Sequence, residues 1–145
     1  MIRFIFLIMA SVVTLVTQAA SPPASVKFLD GYFDKDPSAA VTVVTGKPLK
    51  SYNLEEYRGL TILHTPEKAS MIETTVKQDA AKAEDKEISY RKGSLYYAFL
   101  TLPPLQGKKQ YLFYLNQTLA KGDKVILIYM RGAASADKIR KMIKK

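Results

Sequence analysis

The chain has 145 residues, a formal net charge of +9, a single histidine and no cysteine. This length suits one domain. Without cysteine the chain can form neither a disulfide bond nor the lipid-modified terminus of an exported lipoprotein, and with one histidine it cannot form a histidine-rich metal site.

Residues 1–19 have the pattern of a secretory signal peptide. Arg3 supplies a positive charge before an apolar run, Phe4–Val16, that is too short to span a bilayer comfortably. Thr17 and Ala19 are small residues at the positions that signal peptidase reads. We therefore expect cleavage after Ala19 and a periplasmic or secreted protein without a transmembrane helix; the alternative is an uncleaved membrane anchor.

The remaining residues, 20–145, are expected to form a single α+β domain. Residues 20–25 contain two prolines and predict an extended leader, and residues 26–35 can form a few helical turns. Ala40–Thr45 consists mainly of β-branched residues, which favour a strand. Ser51–Tyr57 predicts a short helix with a serine cap.

Leu60–His64 predicts a second strand, and a long amphipathic helix follows it. Thr65 is a capping hydroxyl, Pro66 suits the first helical position and Glu67 is favourable in the first turn. Apolar residues then recur at helical spacing, namely Ala69, Ile72, Val76, Ala80 and Ala83. This helix is expected to lie on a sheet.

The second half of the chain predicts more strands. Lys86–Arg91 alternates polar and apolar residues and leads into a tight turn. Three runs rich in aromatic and aliphatic residues follow, separated by turns that contain glycine or proline: residues 93–102, 108–115 and 125–131. A last helix has the apolar residues Ala136, Ile139, Met142 and Ile143. The predicted fold is an antiparallel sheet of about five or six strands with helices packed mainly on one face.

The central strands are apolar on both faces. Along Leu95–Leu102 and Val125–Met130, neither the odd nor the even positions are polar. Such a sheet must be covered on both sides, because a large exposed apolar patch is unfavourable. The two amphipathic helices can cover one face, and the other needs the N-terminal helix, a second layer or another subunit.

Four strand tyrosines are candidate ligand-binding residues: Tyr97, Tyr111, Tyr114 and Tyr129. Their rings can stack on a sugar or a peptide while the hydroxyl groups face solvent. Alternatively, the rings belong to the core and only the hydroxyl groups reach its rim.

Basic residues are concentrated near the end of the chain. Arg131, Lys138, Lys141 and Lys145 are candidates for binding an anionic surface or glycan. The alternative is that they complement the dipole of the last helix. Nucleic acid is not expected as a partner, because the aromatic residues lie within strands and not between the charges.

His64 lies between a strand and a helix cap, where catalytic residues do occur. A catalytic interpretation would pair it with a carboxylate or a tyrosine, but no nucleophile motif accompanies it. A structural, hydrogen-bonded histidine is the alternative. We expect no enzyme, no metal and no cofactor.

Several motifs in the chain resemble a family of short exported bacterial proteins that is classed as a domain of unknown function. The motifs are Phe33–Ala39, Gly46-Lys47 with Leu49, Tyr52–Leu54, Thr101–Pro104, Tyr111–Asn116, and Ile128-Tyr129 with Gly132. The resemblance covers nearly all of the mature chain and implies export, but it brings no activity, cofactor or functional residue.

These features favour a non-enzymatic envelope or secreted module that binds another macromolecule or itself. Its partner is unidentified and includes the anionic surface or glycan considered above. The first alternative is a small-ligand carrier with a tyrosine-lined pocket, and the second is an enzyme that uses His64.

Overall fold

The computed structural model describes residues 21–143, which form a single six-stranded antiparallel sheet with helices on its faces. The strands are β1 (Ala40–Thr45), β2 (Leu54–Leu63), β3 (Asp85–Arg91), β4 (Ser94–Leu105), β5 (Lys108–Asn116) and β6 (Lys124–Gly132). The α-helices are α1 (Pro66–Ala81) and α2 (Ala136–Ile143), and the 3₁₀ helices are η1 (Ala24–Leu29), η2 (Lys47–Tyr52) and η3 (Gln117–Leu119). The predicted α+β fold is confirmed. The predicted signal peptide, residues 1–19, lies outside the described residues.

The strand order β1-β2-β6-β5-β4-β3 determines where α1 must lie. Strands β3 to β6 form a meander, and β6 returns to pair with β2. The connection from β2 to β3 therefore crosses four strand spacings, about 19 Å. Helix α1 has 16 residues, or about 24 Å of length, which is enough for this crossing.

Two hairpins of the meander have turns that require positive φ angles. Lys92 and Gly93 have φ values of 53° and 79°, and Gln106 and Gly107 have values of 51° and 77°. Two successive positive φ angles are typical of the tight turns whose twist matches that of the strands. The tight turn predicted before β4 is therefore present, while the run that ends in Pro103-Pro104 continues as strand to Leu105.

Helix α1 begins as the sequence predicts. The Thr65 hydroxyl accepts a hydrogen bond from the Lys68 N–H at 3.3 Å, and Pro66 occupies the first turn. Ile72 and Val76 are almost completely buried against β-strand residues on one face of the sheet, which we call the α1 face. Among residues 21–143 no helix has both the length and the apolar character needed to cross a bilayer.

A buried carboxylate attaches η1 to α1. Asp79, which is 4% exposed, accepts hydrogen bonds from Ala24 N (2.7 Å), Ser25 N (2.9 Å) and Ser25 Oγ (2.6 Å). These bonds compensate the carboxylate for the water that it loses. As a result η1 begins at Ala24, inside the predicted leader of residues 20–25, and Phe28 is fully buried.

Helix α2 covers the opposite side of the sheet, the α2 face. Ile139 packs there in a core with Phe99, Phe113 and Met130. The expectation that both amphipathic helices share one face was therefore wrong; α1 and η1 lie on one face, and α2 and η2 on the other. The turn after β6 sets this direction, because Ala133 N and Ala134 N both donate to the carbonyl of Asn53, at 3.0 and 2.9 Å.

The helix predicted over Ser51–Tyr57 is also wrong. The 3₁₀ helix η2 ends at Tyr52, where Asn53 adopts a left-handed conformation with φ of 56° and donates to Leu49 O and Lys50 O. Strand β2 starts at Leu54 and pairs with β6 on one side and β1 on the other. These long-range ladders override the local helix signal.

Replacement of Gly132 by alanine should reduce the free energy of unfolding by about 3 kcal/mol. A Cβ atom at Gly132 would lie 2.6 Å from the carbonyl oxygen of Asn53 and 2.6 Å from the Cα of Leu54, and backbone atoms cannot move away cheaply. Urea denaturation would measure the effect.

Gly59→Ala is the matched control in the neighbouring strand. The atoms nearest to its Cβ would be those of the Tyr57 side chain, with the hydroxyl oxygen at 3.3 Å, and that side chain can shift. We expect a loss below about 1 kcal/mol. Equal losses for the two variants would contradict the close backbone approach.

Candidate functional site

The four candidate tyrosines do not share a groove. Tyr97 and Tyr111 belong to the α2 face, whereas Tyr114 and Tyr129 belong to the α1 face. Tyr111 and Tyr114 are three residues apart in β5, and side chains alternate between the two faces of a strand, so the sheet separates them. The single tyrosine-lined pocket expected from the sequence is therefore not formed in the described part of the chain.

Three of these tyrosines have clear structural roles. The Tyr111 hydroxyl donates to the carbonyl of Ala134 at 2.6 Å and so connects β5 to the start of α2. The Tyr129 hydroxyl donates to Gln110 Oε1 at 2.5 Å. The half-buried Tyr97 ring packs edge-on against Phe113, with the ring centroids 5.5 Å apart. These side chains belong to the core.

Tyr114 differs from the others, because its buried hydroxyl has no hydrogen-bond partner among the described residues. The side chain is 1% exposed. Burial raises the pKa of Tyr114 far above its ordinary value, and the charge of Glu73 adds to this increase. The neighbouring Asn116 side chain lowers the pKa slightly, although its geometry with the hydroxyl is not that of a well-formed hydrogen bond. An unsatisfied buried hydroxyl costs about 1–3 kcal/mol.

Tyr114 lines a cavity of about 350 Å³ between α1 and one end of the sheet, which we call the His64 cavity. It lies where β2 and β5 end and β4 begins. Its polar lining comprises His64, Ser70, Glu73, Ser94, Tyr114, Asn116 and Thr118, and its apolar lining comprises Pro66, Ala69 and Leu119. The carboxylate of Glu73 accepts the backbone N–H of Leu95, which fixes this side chain at the cavity wall.

His64 lies beside a hydroxyl and a carboxylate in the cavity. Its ring makes no hydrogen bond to Ser70 or Glu73 in the described structure, although all three line the same cavity. Its backbone N–H donates to Asp123 O at 2.8 Å. Within residues 21–143 no three side chains of histidine, cysteine, aspartate or glutamate come together as metal ligands.

The candidate basic residues are brought together only in part. Lys138 and Lys141 line one cleft of about 480 Å³ beside Tyr52 and Met142. Arg131 does not line that cleft, and its Nη2 lies 3.1 Å from Glu56 Oε1 in an ion pair. Lys145 lies outside the described residues.

A further basic residue of the last helix is neutralised internally. Arg140 Nε lies 2.5 Å from Glu87 Oε1, and its Nη1 lies 2.7 Å from Asp137 Oδ1. The guanidinium also lies 5.4 Å from the centre of the Phe99 ring. Arg140 therefore fastens α2 to β3 and contributes little free charge to the surface.

The two edges of the sheet differ in chemistry. The edge strand β1 has no charged residue, and Val41 and Val43 are 42% and 57% exposed. No described residue pairs with its outer side. The other edge strand, β3, carries four charged residues in the sequence DKEISYR, and its register shifts between Ser89 and Tyr90.

The sequence interpretation missed the edge position of β1 and the role of Glu73. The absence of charge in Ala40–Thr45 was a readable signal for an unprotected edge. Glu73 lies off the apolar stripe of its helix, and nothing in the local sequence distinguishes it from an ordinary surface carboxylate. Its position depends on the distant Leu95 N–H.

Comparison with known proteins gives a family without an activity. The model of a family of unknown function (DUF6108) matches residues 12–143. No curated protein and no solved structure matched the chain. The match confirms the resemblance drawn from the sequence motifs as far as a family of unknown function, while the bacterial export that it implies stays a prediction.

The buried tyrosines predict a loss of stability at alkaline pH. Burial, with a smaller contribution from the charge of Glu56, raises the pKa of Tyr129 to about 12. Below about pH 10, the ordinary tyrosine value, folded and unfolded chains both keep the proton. Above it only the unfolded chain releases the proton, so the free energy of unfolding should fall between about pH 10 and 12. Urea denaturation at several pH values measures this.

Tyr129→Phe should make that decline less steep, because one raised hydroxyl pKa is removed. Tyr32→Phe is the control, since the Tyr32 side chain is 52% exposed. A decline of unchanged steepness in Tyr129→Phe would contradict the role given to Tyr129.

Proposed function

The chain belongs to this family of unknown function, and we propose that it is an exported, non-enzymatic module that pairs with a second copy of itself through β1. The observation that carries the proposal is the outer edge of β1, which is uncharged and exposed in a protein of net charge +9.

An unprotected edge strand is unusual in a monomer. It presents a row of backbone N–H and C=O groups that can pair with another strand, and natural proteins block such edges with charge, proline or bulges. Strand β3 has charged residues and a register shift. Strand β1 has neither of these devices, and its residues are five β-branched side chains and one alanine. The contrast within one sheet supports pairing at β1.

A second copy of the chain suits this edge better than a charged partner does. If two β1 strands pair antiparallel about Thr42, Val41 of each copy lies opposite Val43 of the other on the same face. The contact is then isologous, with two identical valine pairs. Removal of residues 1–19 takes away Arg3 and lowers the net charge from +9 to +8. Two such chains repel each other wherever lysines face one another, and β1 brings no charge into the contact.

A binding role is favoured over a catalytic one by the state of His64. It lacks a side-chain hydrogen bond to the neighbouring hydroxyl and carboxylate groups of its cavity in the described structure. In the Ser-His-Asp arrangement such a partner orients the general base.

Pairing through β1 predicts that Val43→Lys weakens the dimer of the mature chain by about tenfold or more. The substitution places two lysines next to the opposing strand, where their like charges repel. Sedimentation velocity at protein concentrations of about 1–100 µM measures the dimer fraction.

Tyr90→Lys on β3 is the matched control, because Tyr90 is 53% exposed and Val43 is 57% exposed. This variant should dimerise like the unaltered protein. An unaltered protein that is monomeric at the highest concentration would refute the proposal, and so would a dimer that Val43→Lys leaves intact.

Export is the second part of the proposal and rests on residues 1–19. Expression of the full chain in a Gram-negative host should give a periplasmic protein whose N-terminal residue is Ala20, as read by intact mass. Ala19→Leu should block cleavage, because a bulky residue precedes the scissile bond. Gln18→Leu alters the adjacent position and should leave cleavage unchanged. A full-length product in the cytoplasmic fraction would contradict export.

A further inference from the structure

The His64 cavity contains a buried polar group that the protein leaves unsatisfied. The side chain of Tyr114 borders the cavity and is 1% exposed, and its buried hydroxyl has no hydrogen-bond partner among the described residues. Buried hydroxyl groups in folded proteins are usually satisfied by protein, water or a ligand. The cavity wall therefore includes one side chain whose hydrogen-bonding capacity is unmet.

The other polar groups of the cavity are partly committed. Asn116 Oδ1 accepts from Thr118 N at 3.1 Å and from Thr118 Oγ1 at 2.6 Å, so its amide NH₂ group is the part left to donate. Glu73 Oε1 accepts from Leu95 N, while Oε2 lies 3.8 Å from Lys77 Nζ and retains acceptor capacity. Beside the hydroxyl groups of Ser70 and Ser94, the cavity wall thus includes the Tyr114 hydroxyl and the Asn116 amide as donors and the Glu73 carboxylate as a strong acceptor.

We infer that the His64 cavity binds a small neutral polyol, of the size of a monosaccharide, with hydroxyl groups bonded to both Tyr114 and Glu73. A hydroxyl group donates and accepts at once, so it can accept from Tyr114 and donate to Glu73. An anion would meet the Glu73 carboxylate. An ammonium group has no acceptor to offer the Tyr114 and Asn116 donors.

The size and walls of the cavity fit the same class of ligand. Its volume of about 350 Å³ is at the lower end of ligand pockets, which suits one ring and not a chain of sugars. Pro66, Ala69 and Leu119 supply apolar surface for the C–H face of such a ring. No residue of β1 lines the cavity, so binding there is independent of pairing through β1.

The test is titration calorimetry of the mature chain with neutral probes: D-glucose, D-galactose, N-acetyl-D-glucosamine, myo-inositol and D-glucitol, each to about 10 mM. D-glucosamine and D-glucuronate are the cationic and anionic comparators. At least one neutral probe should bind saturably. In NMR spectra of the same chain, that probe should shift the amide resonances of Ser94 and Asn116. Tyr114→Phe and Glu73→Gln should each weaken that probe by about tenfold.

Tyr111→Phe is the matched control, because it removes one buried hydroxyl from the same strand on the other face. It should lower the thermal midpoint and leave probe affinity unchanged, whereas Tyr114→Phe without probe should keep or raise that midpoint. The inference is overturned if no neutral probe binds saturably, if a charged comparator binds more tightly, or if Tyr114→Phe retains full affinity.

Discussion

A sheet that is apolar on both faces must be covered on both, and the rest of this fold follows from that requirement. Strand β5 contributes Leu112 to one core and Phe113 to the other, so neither side can face water. The long crossing from β2 to β3 brings α1 over the first face. The close contact of Gly132 with the Asn53 backbone turns the chain towards the second face, where α2 completes the cover. The 3₁₀ helices η1 and η2 add Phe28 and Leu49 to these two cores.

Local signals predicted the elements well, and long-range pairing decided the rest. Thr65 and Pro66 predict the start of α1, and Lys92-Gly93 predicts a hairpin turn. Both predictions succeed because a helix cap and a tight turn are determined by the residues that form them. Local propensity near Ser51 favours a helix. Strand β2 nevertheless starts at Leu54, because Leu54 pairs with Gly132 of β6, more than seventy residues later in the chain. The face chosen by α2 has the same non-local origin.

The sequence indicated some of the residues of the candidate site but not how they are arranged in space. The odd spacing of Tyr111 and Tyr114 within one strand already requires opposite faces, so a shared tyrosine groove conflicts with strand periodicity. The cavity itself joins His64, Glu73 and Tyr114, which come from a strand end, a helix and a distant strand. Only the strand order brings them together. Which tyrosine lacks a partner depends on backbone and side-chain positions that no sequence pattern encodes, such as the Ala134 carbonyl that satisfies Tyr111.

The charged, irregular edge at β3 has a consequence for the size of any assembly. If two copies join along β1, each outer border of the enlarged sheet is a β3 strand, and its ionic side chains and shifted register discourage further addition. Arg140 holds this border in place through Glu87. Strand-by-strand assembly would then stop at a dimer, because the β3 edges do not accept another copy and no filament can form.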